Sequence, residues 1–248
     1  MKIYSIIPAR CDSKGVPNKN IRLLAGFELI AYSIAAALMS KKIERVVVST
    51  DSKKIAQIAE LYGAEAPFLR PKELAMDDSV DREFIIHALH WFEEHEGAAP
   101  DYIVHLRPTT PLREPKLIDL AIENILSTPE ATSLRSGHEA PESPFKWFKR
   151  NKHGYFESLL PDDPRPEYYN LPRQAFQAVY VPNGYVDILK TDFVLNSETL
   201  HGDRMLGFIT PVAIEVDTID YLNILGYEIE KRGHILLDYL RSCCKRIN

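Results

Sequence analysis

Three cations stand within ten residues near the start of the chain, at Arg10, Lys14 and Lys19. Ser13 and Gly15 lie among them, small residues that let backbone N–H groups close on an anion. Spread positive charge together with directed donors is what a polyphosphate requires. A solvated basic turn is the competing reading, and position weighs against it. The segment directly follows residues 2–9, whose Ile3, Ile6 and Ile7 read as a short buried strand. Its spacing is neither the Gly-x-x-x-x-Gly-Lys-Ser/Thr of a Walker loop nor the Gly-x-Gly-x-x-Gly of a dinucleotide site.

Two further clusters carry polar chemistry: residues 107–113, which begin and end with arginine, and the late pair Glu215 and Asp217. On a strand, residues two apart point to the same side, so one divalent cation could meet both carboxylates. By itself such a pair reads equally as a solvated strand end. His87 and His90 lie three apart on an expected helix, but no cysteine or acid cluster completes a metal site around them. Cys11 reads as a small spacer, and Trp91 and Phe92 as core packing.

Alternating strands and helices must position these groups. Residues 2–9, 45–50, 102–106 and 211–216 read as strands, and 30–39, 51–62, 81–94, 116–126 and 218–231 as helices. Gly63 sits where a C-terminal cap belongs. The order predicts an α/β fold: a Rossmann-like, doubly wound, mostly parallel sheet. Such sheets bind ligands beyond the carboxyl ends of their strands, where all three polar clusters fall. Residues 136–182 differ, being rich in proline and aromatic side chains with many groups worth burying. They read as an inserted arm of hairpins and loops that covers the site or pairs with a second subunit. The expectation is one domain, 1–248, with that small dimerisation or lid arm at about 136–182.

Composition narrows the classes of partner. The 248 residues are 45% hydrophobic, enough for a large core, and the net charge is −5. An acidic balance excludes general nucleic-acid binding. No apolar run approaches the roughly 18 residues that span a bilayer, and the first residues are too short an apolar core for a signal peptide. Three cysteines build no disulfide framework, so a reduced, cytoplasmic setting is expected.

Residues 7–20, Ile-Pro-Ala-Arg-x-x-Ser-Lys-Gly-x-x-Asn-Lys-Asn, resemble the signature of the acylneuraminate cytidylyltransferases, the CMP-sialic acid synthetases. Further similarities follow in that family's order: Val46-Val47-Val48-Ser49-Thr50-Asp51, Phe68-Leu69-Arg70-Pro71, Pro108-Thr109-Thr110-Pro111-Leu112-Arg113, Asn183-Gly184, and Glu215-Val216-Asp217-Thr218. The resemblance implies transfer of CMP from CTP to the anomeric hydroxyl of a sialic, legionaminic or pseudaminic-type acid, with Mg²⁺ as cofactor. It also implies a homodimer. By similarity Arg10 and Lys19 hold the triphosphate, Lys19 nearest the α-phosphate, while Ala9, Ser13, Gly15 and Asn20 shape the loop and meet phosphate or ribose. Asp217, with Glu215 where the family has a first aspartate, takes the metal. Arg173, Gln174, Asn183 and Gly184 form the sugar side, and Arg173 either pairs with the sugar carboxylate or anchors the arm to its own domain.

Two departures concern the base. Arg107 stands where the family has glutamine, and Asp81 aligns with a family serine. Arginine only donates and aspartate only accepts. The pair suits cytosine; it also suits guanine, and the two side chains can instead pair with each other. Three functions therefore stand: a cytidylyltransferase for nonulosonic acids, a nucleotidyltransferase for GTP or a sugar-phosphate acceptor, and a nucleotide-binding protein without catalysis.

Overall fold

Strand β1 (Ile3–Pro8) sorts its side chains by alternation. Ile3 and Ile7 pack on one face of the sheet with Val46, Val48 and Val104; Tyr4 and Ile6 pack on the other with Val47 and Ile103. A strand covered on both faces is apolar along its whole length, which is why residues 2–9 read as a continuous apolar run. The computed structural model describes residues 1–12 and 15–244, so the expectation for Ser13 lies outside the described residues.

After β1 come a short hairpin, β2 (Leu23–Leu24) and β3 (Phe27–Glu28), and helix α1 (Leu29–Leu38). Then follow β4 (Arg45–Ser49), α2 (Lys53–Leu61), α3 (Asp81–Glu96), β5 (Tyr102–His105), α4 (Pro115–Leu126) and β6 (Ser133–Glu139). The rest comprises β7 (Phe148–Arg150), β8 (Phe156–Ser158), β9 (Tyr180–Lys190), α5 (Thr191–Asn196), β10 (Met205–Ile209), α6 (Ile219–Arg232) and α7 (Ile235–Cys244). Six strands form the main sheet in the order β10-β6-β9-β5-β1-β4. All run the same way except β9, which lies antiparallel between β5 and β6. Helices cover both faces: α1, α4, α6 and α7 pack over one core, α3 and α5 over the other. The α/β, mostly parallel, Rossmann-like architecture expected from the sequence is the one found.

Some expected boundaries change. Residues 211–216 are not a strand; the ladder ends at β10, where the amide of Thr210 donates to the carbonyl of Gly137. Pro211 then offers no N–H to continue it. The chain runs on irregularly until the Val216 amide reaches the Thr109 carbonyl at 2.7 Å, fixing the acidic segment against the turn after β5. β10 itself escapes sequence reading because only Phe208 of its five residues is buried. The ends of the expected arm also belong to the sheet, since Gly137, His138 and Glu139 pair with Pro182, Val181 and Tyr180. Between those ends, residues 140–179 carry the β7–β8 hairpin, with Phe148 stacked on Phe156.

Candidate active site

The carboxyl ends of β1 and β5, the first turn of α3 and residues 74–79 enclose a cleft of about 280 Å³. Charged side chains enter it from two sides. Arg10, Lys19 and Asn20 enter from the loop after β1; Arg70, Asp81 and Arg107 enter from elsewhere.

The loop is built from the backbone outward. Buried Ala9 donates its amide to Ser49 at 3.0 Å, and the amide of Cys11 donates to Asp51 Oδ1 at 2.7 Å. Asn20 donates to the Arg10 carbonyl at 2.9 Å, drawing the loop into a closed turn. A Cβ on Gly15 would lie 2.8 Å from the Asp217 carbonyl, so only glycine lets the loop meet the acidic segment. Both cations carry acidic partners: Arg10 pairs with Asp77 at 2.9 Å and donates to the Met76 carbonyl at 2.8 Å, and Lys19 pairs with Asp217 at 3.3 Å.

At the other end, Arg107 donates to Asp81 Oδ2 at 2.6 Å and to Asp187 Oδ2 at 2.8 Å. The Asp187 side chain is fully buried, and its second oxygen faces Arg135 at 3.8 Å. These charges sit side by side because β9 pairs Asp187 with His105 on β5 and with Arg135 on β6. Burial pushes the Arg107 guanidinium down, but Asp187 and Asp81 more than offset that and hold it above its ordinary value. His105 is fully buried and edge-on to Phe84; burial drives it down to about 3, so it stays neutral. Arg70 lies over the Phe84 ring and donates to Ser49, and burial lowers it to about 10.

The turn after β5 holds the acidic segment. Glu215 Oε1 accepts from the Gly184 amide at 2.7 Å, while Asp217 faces Lys19; the two carboxylates are thus engaged separately. A Cβ on Gly184 would lie 2.5 Å from Thr110 Oγ1. Arg113, fully buried, donates to the carbonyls of Tyr185, Arg107 and Gly184 and to Ser33 Oγ, and is therefore a brace for this turn. The Asn183 side chain is likewise committed inward, to Ser136 and Thr210. Arg173 and Gln174 lie apart from the first cleft and line a second cavity of about 320 Å³, where Arg173 pairs with Glu139. Among the described residues, no group of three His, Cys, Asp or Glu side chains is placed to hold a metal ion.

Arg70, Asp77 and Asp187 join the site without having been singled out from the sequence. Asp187 had a legible signal: a lone acid in Tyr185-Val186-Asp187-Ile188-Leu189 must find a cation if that run is buried. Asp77 had none, since an aspartate in a polar connection is ordinary.

Residues 4–156 match the family model described as cytidylyltransferase. The chain is 47% identical over 123 residues to a CMP-N,N'-diacetyllegionaminic acid synthase of Legionella pneumophila, covering 50% of this chain and 53% of that one. It is 32% identical over 253 residues to an N-acylneuraminate cytidylyltransferase of Escherichia coli, covering 100% of this chain and 57% of that protein. The chain thus spans about half the length of these curated relatives. The fold is similar to that of a CMP:2-keto-3-deoxy-manno-octonic acid synthetase solved with CTP, at a TM-score of 0.69 and 18% identity, covering 93% and 99% of the two chains.

Proposed function

The chain belongs to the cytidylyltransferase family, and from that premise we propose that it joins CMP from CTP to the anomeric hydroxyl of a sialic, legionaminic or pseudaminic-type acid, releasing pyrophosphate. One observation carries the reading furthest. The loop after β1 brings Arg10 and Lys19 to one cleft, each beside an acid, Asp77 or Asp217, that a polyphosphate can replace.

In this reaction the sugar hydroxyl oxygen attacks the α-phosphorus and its proton passes to solvent. The bond to the bridging oxygen breaks, and pyrophosphate leaves with its electron pair. Negative charge grows on the phosphate oxygens, so cations already fixed beside them stabilise the transition state. Lys19 serves the α-phosphate and Arg10 the outer phosphates. Ala9, Ser13, Gly15 and Asn20 shape the loop and meet phosphate or ribose, and Asp81 and Arg107 meet the base.

The reading includes Mg²⁺, which would neutralise charge on the phosphate oxygens when bound. Asp217 suits it, being a hard oxygen donor with a side chain 66% exposed beside Lys19. Mg²⁺ typically takes one or two carboxylates and completes its shell with substrate phosphates and water. Glu215 would join through the oxygen that does not hold Gly184.

On the sugar side, exchange of Glu139 for the sugar carboxylate would give Arg173 a two-point contact, with Gln174 beside it. In this reading Asn183 and Gly184, on β9 beside Glu215, complete the sugar side. The exposed Trp147, Phe148, Tyr155 and Phe156 of the arm favour a homodimer, which light scattering at micromolar concentration tests. No helix among the described residues is long and apolar enough to cross a membrane, and a cytoplasmic setting belongs to the same proposal.

A panel of nucleotides and sugar acids with Mg²⁺, read by pyrophosphate release, tests the function. Turnover of CTP with at least one nonulosonic acid is expected. Release from GTP and none from CTP with any acceptor would overturn the cytidylyl reading.

A further inference from the structure

Around Asp81 the cleft holds a carboxylate beside cations already committed to the protein, Arg70 to Ser49 and Arg107 to two carboxylates, and so suits the uncharged part of a nucleotide better than its phosphates. We infer that Asp81, gripped by an Arg107 that buried Asp187 immobilises, selects the base by accepting a hydrogen bond from an exocyclic amine. The inference rests on the nucleotidyltransferase reading of this cleft and adds to it which group reads the base, and how.

Arg107 has two terminal nitrogens, and each already serves a carboxylate. Swinging it toward a ligand would strip Asp187, whose side chain has no exposure, of its nearest cation. Breaking a buried pair in that way is strongly unfavourable. Arg135 cannot compensate from where it stands, at 3.8 Å. Arg107 is therefore a fixed clamp, able to offer a ligand only the N–H groups that its two carboxylates leave over. Asp81 is different. It opens α3 and lines the cleft, and its side chain is 39% exposed. Arg107 takes its Oδ2 and thereby fixes the plane of the carboxylate.

A carboxylate accepts and cannot donate. Cytosine presents an amine at its fourth ring position, whereas uracil presents a carbonyl oxygen there. With cytosine the carboxylate gains a charge-assisted hydrogen bond; with uracil it faces another acceptor. Sites built to bond a polar group reject the analogue that lacks it, because their own group is left unpaired. Guanine also carries donors on this kind of edge, so the same carboxylate would tolerate it.

The test is equilibrium binding of CTP, UTP and GTP to the full chain by calorimetry, which needs no sugar. Wild type is expected to favour CTP over UTP by roughly ten- to hundredfold, the usual worth of a hydrogen bond to a charged group. Asp81→Asn should reduce that ratio to within about threefold, since an amide can turn its donor to uracil. Asp187→Asn, which touches no ligand, should narrow the same ratio. Loss of folded protein cannot mimic a changed ratio. Should Asp187→Asn fail to fold, Arg107→Lys loosens the clamp instead, because an ammonium cannot bridge two carboxylates in a fixed plane. Equal wild-type binding of CTP and UTP, or an unchanged ratio in Asp81→Asn, overturns the inference. An unchanged ratio in a folded Asp187→Asn overturns the role of the clamp. Preference for GTP that vanishes in Asp81→Asn would sustain the acceptor mechanism and instead sink the cytidylyl reading.

Discussion

The two ends of the cleft use the same chemistry, a cation against a carboxylate, in opposite surroundings. At the Lys19 end the carboxylates are the open partners: Asp217 is 66% exposed beside a Lys19 that is 12% exposed, and Asp77 is 37% exposed beside an Arg10 that is 30% exposed. At the other end, Arg107 meets an Asp187 with no exposure at all. Exposed ion pairs are worth roughly 0–1 kcal/mol, whereas removing one partner of a buried pair costs about 3–5 kcal/mol. The first kind can be exchanged for a ligand's charges at little loss. The second kind is part of the scaffold. One end is thus built to let go and the other to stay.

The sharpest way to break this contrast is Asp187→Ala. It should destabilise the fold by about 3–5 kcal/mol, because it strands Arg107 against a cavity. Urea denaturation measures it, and a loss below about 1 kcal/mol would mean the buried end is no more rigid than the exposed one. Lys19→Ala comes next and should spare the fold. Its expected cost is in turnover, roughly a hundred- to thousandfold in kcat, the range for removing one group that stabilises transition-state charge. Full turnover in that variant would remove Lys19 from the reaction.

Acid should find the buried end as well. His105 has an ordinary value of 6.5 and is pushed by burial to about 3 in the fold. Between those values the unfolded chain binds a proton that the folded chain refuses. Stability from this group is therefore complete above pH 6.5 and is lost as pH falls toward 3. The loss should reach about 2 kcal/mol by pH 5, at about 1.4 kcal/mol per unit. His105→Gln should flatten that slope in melting curves taken from pH 7 to 5; an unchanged slope assigns the loss elsewhere.

This division also decided what the sequence could tell. The exposed end was legible: Arg10, Lys19 and Gly15 lie close together in one loop, and their spacing is their signature. The alternation of elements was legible too, because β1, β4 and β5 are buried on both faces and read as apolar runs. The buried end was legible only in part: the pairing of Arg107 with Asp81 was one of the readings and is found, but Asp187 and Arg135 were not foreseen. Asp81, Arg107, Arg135 and Asp187 come from α3, the turn after β5, β6 and β9, and only the antiparallel insertion of β9 brings them together. Nothing in local spacing announces that pairing. Edge strand β10, mostly exposed, carried too weak a pattern to compete with the Val-Ala-Ile run that follows Pro211.

Gly184 packs beside Thr110, Glu215 and Arg107 and sharpens the comparison at a single atom. A methyl group there would approach Thr110 Oγ1 to 2.5 Å, with Glu215 Oε1 at 3.4 Å. Gly184→Ala should cost about 1–3 kcal/mol, the usual range for overpacking. The backbone φ here is ordinary, so the cost is one of space, and adding Thr110→Ala should recover most of it. If the double variant is no more stable than Gly184→Ala alone, the contact with Thr110 is not the limiting one.

The smallest effect belongs to Asp77, and it is the most specific test of the contrast. If the Arg10–Asp77 pair is exchangeable, Asp77→Asn should change stability by less than about 1 kcal/mol. On the proposed function it removes a negative charge from the place where the triphosphate would sit. Nucleotide should therefore bind a few-fold more tightly, and the gain should shrink at high salt, where exposed charges are screened. Calorimetry with CTP at low and high ionic strength reads both. Weaker binding in Asp77→Asn would mean that this carboxylate holds Arg10 in its working position and is part of the scaffold after all. The line between the two kinds of ion pair would then have to be drawn between Asp77 and Asp217 instead of between the two ends of the cleft.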